Sequence, residues 1–240
     1  MFGATASRLN SIMAIDNKSP VAPEKMRILL VDDHPMVRER LTEVIQREPD
    51  LAVCGEAEDR FRALELIAAT RPHLAIVDLT LRRSNGMELI KDIRSRYPAL
   101  AVLVVSMHDE TLHAERVIRA GAHGYITKQE ATRKIMLAIR TVLTGGVYLS
   151  GKMASQIAAS AVGRAQTKAS LPVNQLSDRE LCVFDMIGQG RSTRQIADEL
   201  HLDVRTIETY RARIKEKLNL KDANDLLQHA IRWMQVEGSL

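Results

Sequence analysis

Five short apolar runs recur between Met26 and Thr144: "RILLVD" (27–32), "LAVCG" (51–55), "LAIVD" (74–78), "AVLVVS" (101–106) and "GYIT" (124–127). They are too short for helices and rich in β-branched residues and leucine, so they read as strands. The stretches between them, 35–47, 58–70, 86–96, 110–120 and 129–143, carry helical spacing, with Leu64, Ile67 and Ala68, or Ile135, Ala138 and Ile139, on one face. A strand with one wet face alternates apolar and polar residues. A strand that is apolar throughout must be covered on both faces, which a parallel sheet wrapped by crossover helices achieves. The expectation is a doubly wound α/β domain on a five-stranded parallel sheet.

The pattern then changes. Residues 145–175 are rich in Gly, Ala and Ser and close with Pro172, which reads as a linker with some helix over 152–162. Beyond it only helical patterns occur, in "SDRELCVFDMIGQG", "STRQIADELH", "DVRTIETYRARIKEKLNL" and "DANDLLQHAIRWMQ". Ser177 with Glu180 and Ser192 with Gln195 have the spacing of capping boxes, in which each side chain satisfies a backbone donor at a helix start. The chain therefore divides into a disordered tail (1–25), an α/β domain (26–146), a linker (147–175) and a smaller all-α four-helix domain (176–240).

Composition narrows the possibilities. In 240 residues, 45% hydrophobic content suffices for two packed cores. The two cysteines, Cys54 and Cys182, have no neighbour at metal-ligand spacing, which argues against a disulfide framework and a zinc site and for a reducing cytoplasm. No apolar stretch has the length of a signal core or a membrane span. The net charge is only +4, yet Arg205, Arg211, Arg213, Lys215, Lys217 and Lys221 cluster against Glu208 and Glu216. A local basic stripe of this kind suits a phosphate backbone.

Open parallel sheets gather their chemistry beyond the carboxyl ends of the strands. The strand assignment places Asp32 and Asp33 after the first strand, Asp78 after the third, Ser106 after the fourth and Lys128 after the fifth. An aspartate at a strand end is usually a cap or a turn residue. Three carboxylates, a hydroxyl and an ammonium converging on one edge are far more specific. Clustered carboxylates repel unless a cation joins them, and hard oxygen ligands suit Mg²⁺. Asp78 can then act as a nucleophile toward a phosphoryl group, while Mg²⁺ and Lys128 neutralise the charge that develops.

In "ILLVDDHPMVRERL", "IVDLTLRRSNGMELI", "VLVVSMHDE" and "RAGAHGYITKQ" the chain resembles the receiver domain of two-component response regulators, over 26 to about 146. The resemblance implies a flavodoxin-like receiver phosphorylated by a sensor histidine kinase. It makes Asp78 the phosphoacceptor, and Asp33 and the backbone carbonyl of Thr80 direct Mg²⁺ ligands. Asp32 becomes a ligand through water, Lys128 the phosphate partner, Ser106 the hydroxyl that moves to the phosphoryl group, and Tyr125 the aromatic switch. For Tyr125 a plain half-buried strand aromatic is an equal reading. Two departures stand out: Arg82 and Gln129 occupy positions where many receivers have proline. Arg82 and Arg83 lack proline's restriction of φ and are expected to be mainly solvated loop charge.

At the helical end, a helix over 193–200, a turn over 201–203 and a helix over 204–217 capped by Asp203 form a helix-turn-helix pattern. Ile207, Tyr210, Ile214 and Leu218 face inward, and Arg205, Thr209, Ala212 and Glu216 face outward, flanked by Glu208 and Arg213. With "LSDRE", "GQGRSTRQIA" and "TIETYRARIKEKLNL", residues 176 to about 236 resemble the LuxR-type output domain of the NarL/FixJ response regulators. That resemblance implies double-stranded DNA with inverted half-sites as target and a homodimer on the DNA. Glu208, Thr209 and Ala212 fall on the base-reading face, Arg205 and Arg213 on base or phosphate contacts, and Thr206, Arg211, Lys215 and Lys217 mainly on phosphates. Leu226, Leu227, Ile231 and Met234 fit a dimer helix, with packing onto the first helix of the domain explaining some of them. The chain reads as a transcription regulator and not an enzyme. Two alternatives remain at this point: a phosphorylation-independent DNA-binding protein whose receiver only dimerises, and a phosphatase on the same scaffold.

Overall fold

The computed structural model describes residues 25–82, 84–107, 110–151, 153–155 and 172–238. The tail expected over 1–25 lies outside these apart from Lys25. Of the stretch 152–162 only 153–155 are described, and they are helical.

Strands β1 (Met26–Val31), β2 (Leu51–Ala57), β3 (Leu74–Val77), β6 (Ala101–Ser106) and β7 (Gly124–Thr127) form one parallel sheet in the order β2-β1-β3-β6-β7. Helices α1 (Pro35–Gln46), α2 (Arg60–Thr70), α3 (Gly86–Arg96), α4 (Glu110–Ala120) and α5 (Lys128–Leu143) connect and cover it. Side-chain alternation within the apolar strands divides them between two cores. In β1, Ile28 and Leu30 join Leu41, Ile45, Ile135 and Ile139 beneath α1 and α5. Leu29 and Val31 join Ala63, Ile67, Ile90 and Val117 beneath α2, α3 and α4. Each such side chain contributes about 1.5–3 kcal/mol on full burial, so both faces need their helices. This is the expected doubly wound architecture.

The strand order reverses at β1. The connection to β2 leads one way and the later strands lie the other way, so the carboxyl ends of β1 and β3 flank the topological switch point, where a crevice opens. The ladder runs up to that edge: Asp78 N–H donates to the Val31 carbonyl (2.8 Å) and Asp32 N–H to the Ala57 carbonyl (3.1 Å).

One feature of the loop was not foreseen. Thr80–Leu81 (β4) and Ser84–Asn85 (β5) pair antiparallel in a small hairpin behind Asp78. Strands of two residues carry no periodicity to read. Arg82 at its tip donates to Glu58 (3.3 Å) and is half-exposed, so it serves as loop charge, while Arg83 lies outside the described residues. The start of the linker also belongs to the sheet: Tyr148 bridges the edge of β7, accepting from Tyr125 N–H at 2.9 Å and donating to the His123 carbonyl at 3.0 Å.

The C-terminal part consists of a short 3-10 turn (Pro172–Gln175) and helices α6 (Asp178–Gly188), α7 (Thr193–Glu199), α8 (Val204–Lys217) and α9 (Ala223–Gly238) around a separate core that includes Leu181, Phe184, Ile196, Ile207, Ile214 and Leu226. Both capping boxes are present. Asp203 is the N-cap of α8, but its side chain makes no capping hydrogen bond. For the apolar stripe on α9 the sequence allowed packing within the domain beside a dimer face. Leu226 is fully buried and Leu227 packs against the same core, so part of the apolar stripe on α9 is spent within the domain. Among the described residues no helix is long and apolar enough to cross a membrane.

Candidate functional site

The sheet edge brings the predicted groups together. Thr127 caps α5, accepting from Glu130 N–H, so Lys128 is the first residue of that helix and its side chain leans back over the strand ends. Its ammonium lies 2.7 Å from Asp32 Oδ2 and 2.7 Å from Asp78 Oδ2. Asp32 and Asp78 are both buried. Asp78 Oδ1 accepts from Thr80 N–H at 3.3 Å, and Asp32 Oδ1 accepts from His34 N–H at 2.9 Å. Arg38 binds the Asp32 carbonyl at 2.6 Å, holding the turn from β1 into α1. Ser106 ends β6 fully buried, in register with Thr127, and Tyr125 is fully buried in the core under α4. Tyr125 is thus more deeply buried than the half-buried strand aromatic the sequence suggested.

Burial raises the Asp32 pKa, and the neighbouring Asp78 charge pushes it the same way against the pull of Lys128. For Lys128, burial acts against the charged form, but the fields of Asp78 and Asp32 outweigh it and its pKa rises. The ammonium therefore stays charged and balances only one of three clustered carboxylates. Ligand atoms of Asp32, Asp33, His34 and Asp78 lie within 4.8 Å of one another. Asp33 Oδ1 is buried and, among the described residues, has no well-aligned hydrogen-bond donor, although the His34 Nδ1 atom lies 2.7 Å from it. Three clustered carboxylates against one ammonium fit a hard divalent cation.

The second predicted surface lies on α8. Arg205, Glu208, Thr209, Ala212 and Arg213 are exposed, Thr206, Arg211 and Lys215 partly so, and Ile207 and Ile214 anchor the opposite face in the core. Lys217, expected to lie mainly on phosphate, also has a partner within its own domain. Its ammonium binds Glu180 at 2.6 Å, and the Glu180 side chain is 4% exposed.

Comparison with known proteins agrees with this geometry. Residues 28–140 match the response regulator receiver domain, and residues 174–230 match the luxR family of bacterial regulatory proteins. The response regulator GacA of Pseudomonas protegens is 31% identical over 215 residues, covering 90% of this chain and 100% of that protein. The oxygen regulatory protein NreC of Staphylococcus epidermidis is 30% identical over 212 residues, covering 86% and 97%. This chain is a response regulator. Among solved structures, a LuxR-family response regulator from Aurantimonas is 37% identical over 58% of this chain and 99% of that one, with a TM-score of 0.53. RcsB of Salmonella enterica serovar Typhimurium, solved on a promoter with the phosphomimetic BeF3⁻, shares the fold at 22% identity, with a TM-score of 0.58 over 86% of this chain and 98% of that one.

Two residues of the response regulator's acidic pocket were not anticipated. His34 is signalled by its place directly after the acid pair. His201, whose Nε2 is 3.0 Å from Asp33 Oδ2, stands 168 positions away in sequence, where no local pattern announces it.

The Glu180–Lys217 pair yields a prediction for the output domain. Burial alone would raise the Glu180 pKa, but the Lys217 ammonium and the Ser177 donors bring it below its ordinary value. A depressed carboxylate pKa contributes stability that is complete above the ordinary value of 4.5 and is lost as pH falls through the folded value. Lys217→Met should cost about 1–3 kcal/mol at neutral pH, because the buried charge loses its main partner. It should also flatten the acid limb of the stability profile. Trp233, the only tryptophan and packed against this core, reports the transition by fluorescence.

Proposed function

We propose that Asp78 accepts a phosphoryl group from a sensor histidine kinase, and that the modified protein binds inverted-repeat operator DNA as a homodimer in the cytoplasm. The observation carrying this reading is the buried Asp78 carboxylate, held by Lys128 and the Thr80 amide at the switch point of the sheet. In this reading Asp33, Asp78 and the Thr80 carbonyl hold Mg²⁺, with Asp32 acting through water. When bound there, the ion would supply the positive charge that screens the carboxylates from the incoming phosphoryl oxygens. Asp78 attacks phosphorus through one carboxylate oxygen, the bond from phosphorus to the donor's leaving atom breaks, and an acyl phosphate results. Lys128 turns to a phosphoryl oxygen, and the Ser106 hydroxyl donates to another. The new position of Ser106 is passed on to Tyr125, already buried in the core under α4, so that a local electrostatic event biases a two-state element.

On α8, a carboxylate at position 208 can only accept, which favours cytosine N4 or adenine N6 edges, and Thr209 and Ala212 offer methyl contacts. The test is to collect genomic fragments bound by the full chain before and after treatment with a small phosphodonor and Mg²⁺. Inverted repeats enriched only after treatment are the expected result. Identical sets of fragments would overturn dependence on phosphorylation.

Arg211 supports a narrower prediction. As a phosphate contact, Arg211→Ala should weaken binding evenly across sequences and reduce the slope of log affinity against log salt by about 1. Titrations at several salt concentrations measure it.

A further inference from the structure

The corner of the helix-turn-helix reaches the acidic pocket of the receiver. His201 follows α7 with φ of 51°, a left-handed conformation that turns the chain sharply toward α8. From that corner its Nε2 meets Asp33 Oδ2 at 3.0 Å, while His34 Nδ1 meets Asp33 Oδ1 at 2.7 Å. Both oxygens of Asp33 therefore face an imidazole, and the Asp33 side chain is only 3% exposed.

The output domain is fastened at a second place. The Arg116 guanidinium on α4 donates to the carbonyls of Leu176 (2.8 Å) and Val173 (3.2 Å), and Lys91 on α3 pairs with Asp178 at 2.9 Å. These contacts hold the chain immediately before and at the start of α6. The two attachments differ in kind, since only the one at His201 uses a group that the phosphorylation chemistry needs.

We infer that His201 is a latch that competes with the divalent cation for Asp33, so that cation entry undocks the helix-turn-helix corner while the Arg116 clamp keeps the output domain tethered. The inference rests on the proposed reading of the pocket as a Mg²⁺-dependent phosphorylation site. Mg²⁺ requires near-octahedral geometry and keeps several of its waters, so it needs room at the carboxylate that the two rings take up. Linkage makes the competition reciprocal: by whatever factor docking weakens cation binding, the cation weakens docking. The reading face of α8 is exposed in the docked arrangement, with Glu208, Thr209 and Ala212 open to solvent. The latch thus governs where the recognition helix can travel and does not act by covering its surface.

The experiment uses the full chain and Mg²⁺ alone. Glycine tolerates the left-handed backbone at position 201, so His201→Gly removes the ring without straining the turn, and His201→Asn is a second variant with the same tolerance. Calorimetric titration should show Mg²⁺ binding tighter by at least about fivefold in both variants. In small-angle scattering, the radius of gyration of the wild type should rise with Mg²⁺, whereas the variants should be expanded already and respond little. Equal affinity in wild type and variants, or weaker binding in the variants as expected of a metal-ligating His201, overturns the latch and leaves the pocket reading intact. No Mg²⁺ binding by any form overturns both.

Discussion

Replacing Asp78 by asparagine should reduce the incorporation of hydroxylamine-labile phosphate to background, while the receiver unfolds within about 1 kcal/mol of the wild type. The amide has the shape of the carboxylate, and its one oxygen can still accept from Thr80 N–H, the 3.3 Å bond. The NH2 then replaces the oxygen that faced Lys128 at 2.7 Å, and Lys128 keeps Asp32 as its partner. The amide cannot form an acyl phosphate, because it lacks an anionic oxygen to attack phosphorus. Removing one of two buried like charges also relieves the repulsion that raises the Asp32 pKa, which offsets the lost bond to Lys128. The effect should thus be all-or-none in labelling and small in folding. Labelling is measured with a radioactive small phosphodonor and Mg²⁺, and folding by denaturant titration. Label persisting at wild-type level would show that another residue is the acceptor. Full-chain labelling of the wild type with no change in DNA binding would instead favour a receiver that only dimerises.

How far such a site can be read from sequence depends on the range of the interactions that build it. Strand ends are local features, and the hydrophobic runs ending at Asp32, Asp78 and Ser106 are legible because each must be covered on both faces. The capping boxes at Ser177 and Ser192 are closed within four residues and are equally legible. Tyr125 is harder. In a run as short and apolar as "GYIT" alternation cannot say which core the ring enters, and only the packing of α4 decides it. Lys217 looked like one more cation on a basic stripe because its partner Glu180 lies 37 residues earlier, on a helix whose placement depends on the domain core. Leu226 could be read as interface or as internal packing because a helical stripe reads the same whether it meets its own domain or a second copy. His201 is the extreme case, since its contact with Asp33 joins two domains. Local chemistry announced which residues could react, and tertiary packing decided which of the remaining charges are free.

The loop behind Asp78 gives the second large expected effect, from a residue with no side chain. Gly86 begins α3, donates its N–H to the Leu79 carbonyl at 3.0 Å, and follows Asn85, whose side chain caps the helix by accepting from Met87 N–H at 2.8 Å. A Cβ placed on Gly86 would lie 2.0 Å from the Asp78 carbonyl oxygen, 2.8 Å from Leu79 Cα and 2.9 Å from Asp78 C. All three are backbone atoms, so no rotamer change relieves the overlap, and either α3 or the chain carrying the phosphoacceptor must move. Both are fixed: Ile90 and Ile93 of α3 are buried in the core, and Asp78 N–H is tied to Val31. Gly86→Ala should therefore cost the receiver about 3 kcal/mol or more, at the upper end for overpacking, and should slow phosphate incorporation even where the domain remains folded. The slowing follows from geometry, because a displaced Asp78 carboxylate no longer shares Lys128 with Asp32. Gly151→Ala is the matched control: a Cβ there meets nothing within 4 Å, and its stability should match the wild type or exceed it slightly. Circular dichroism reports both domains, whereas Trp233 fluorescence reports the output domain alone. A denaturation curve in which the circular dichroism transition shifts and the fluorescence transition does not would assign the damage to the receiver. Wild-type stability and labelling in Gly86→Ala would show that the loop can yield, and that the hairpin of β4 and β5 is not what holds Asp78 in place.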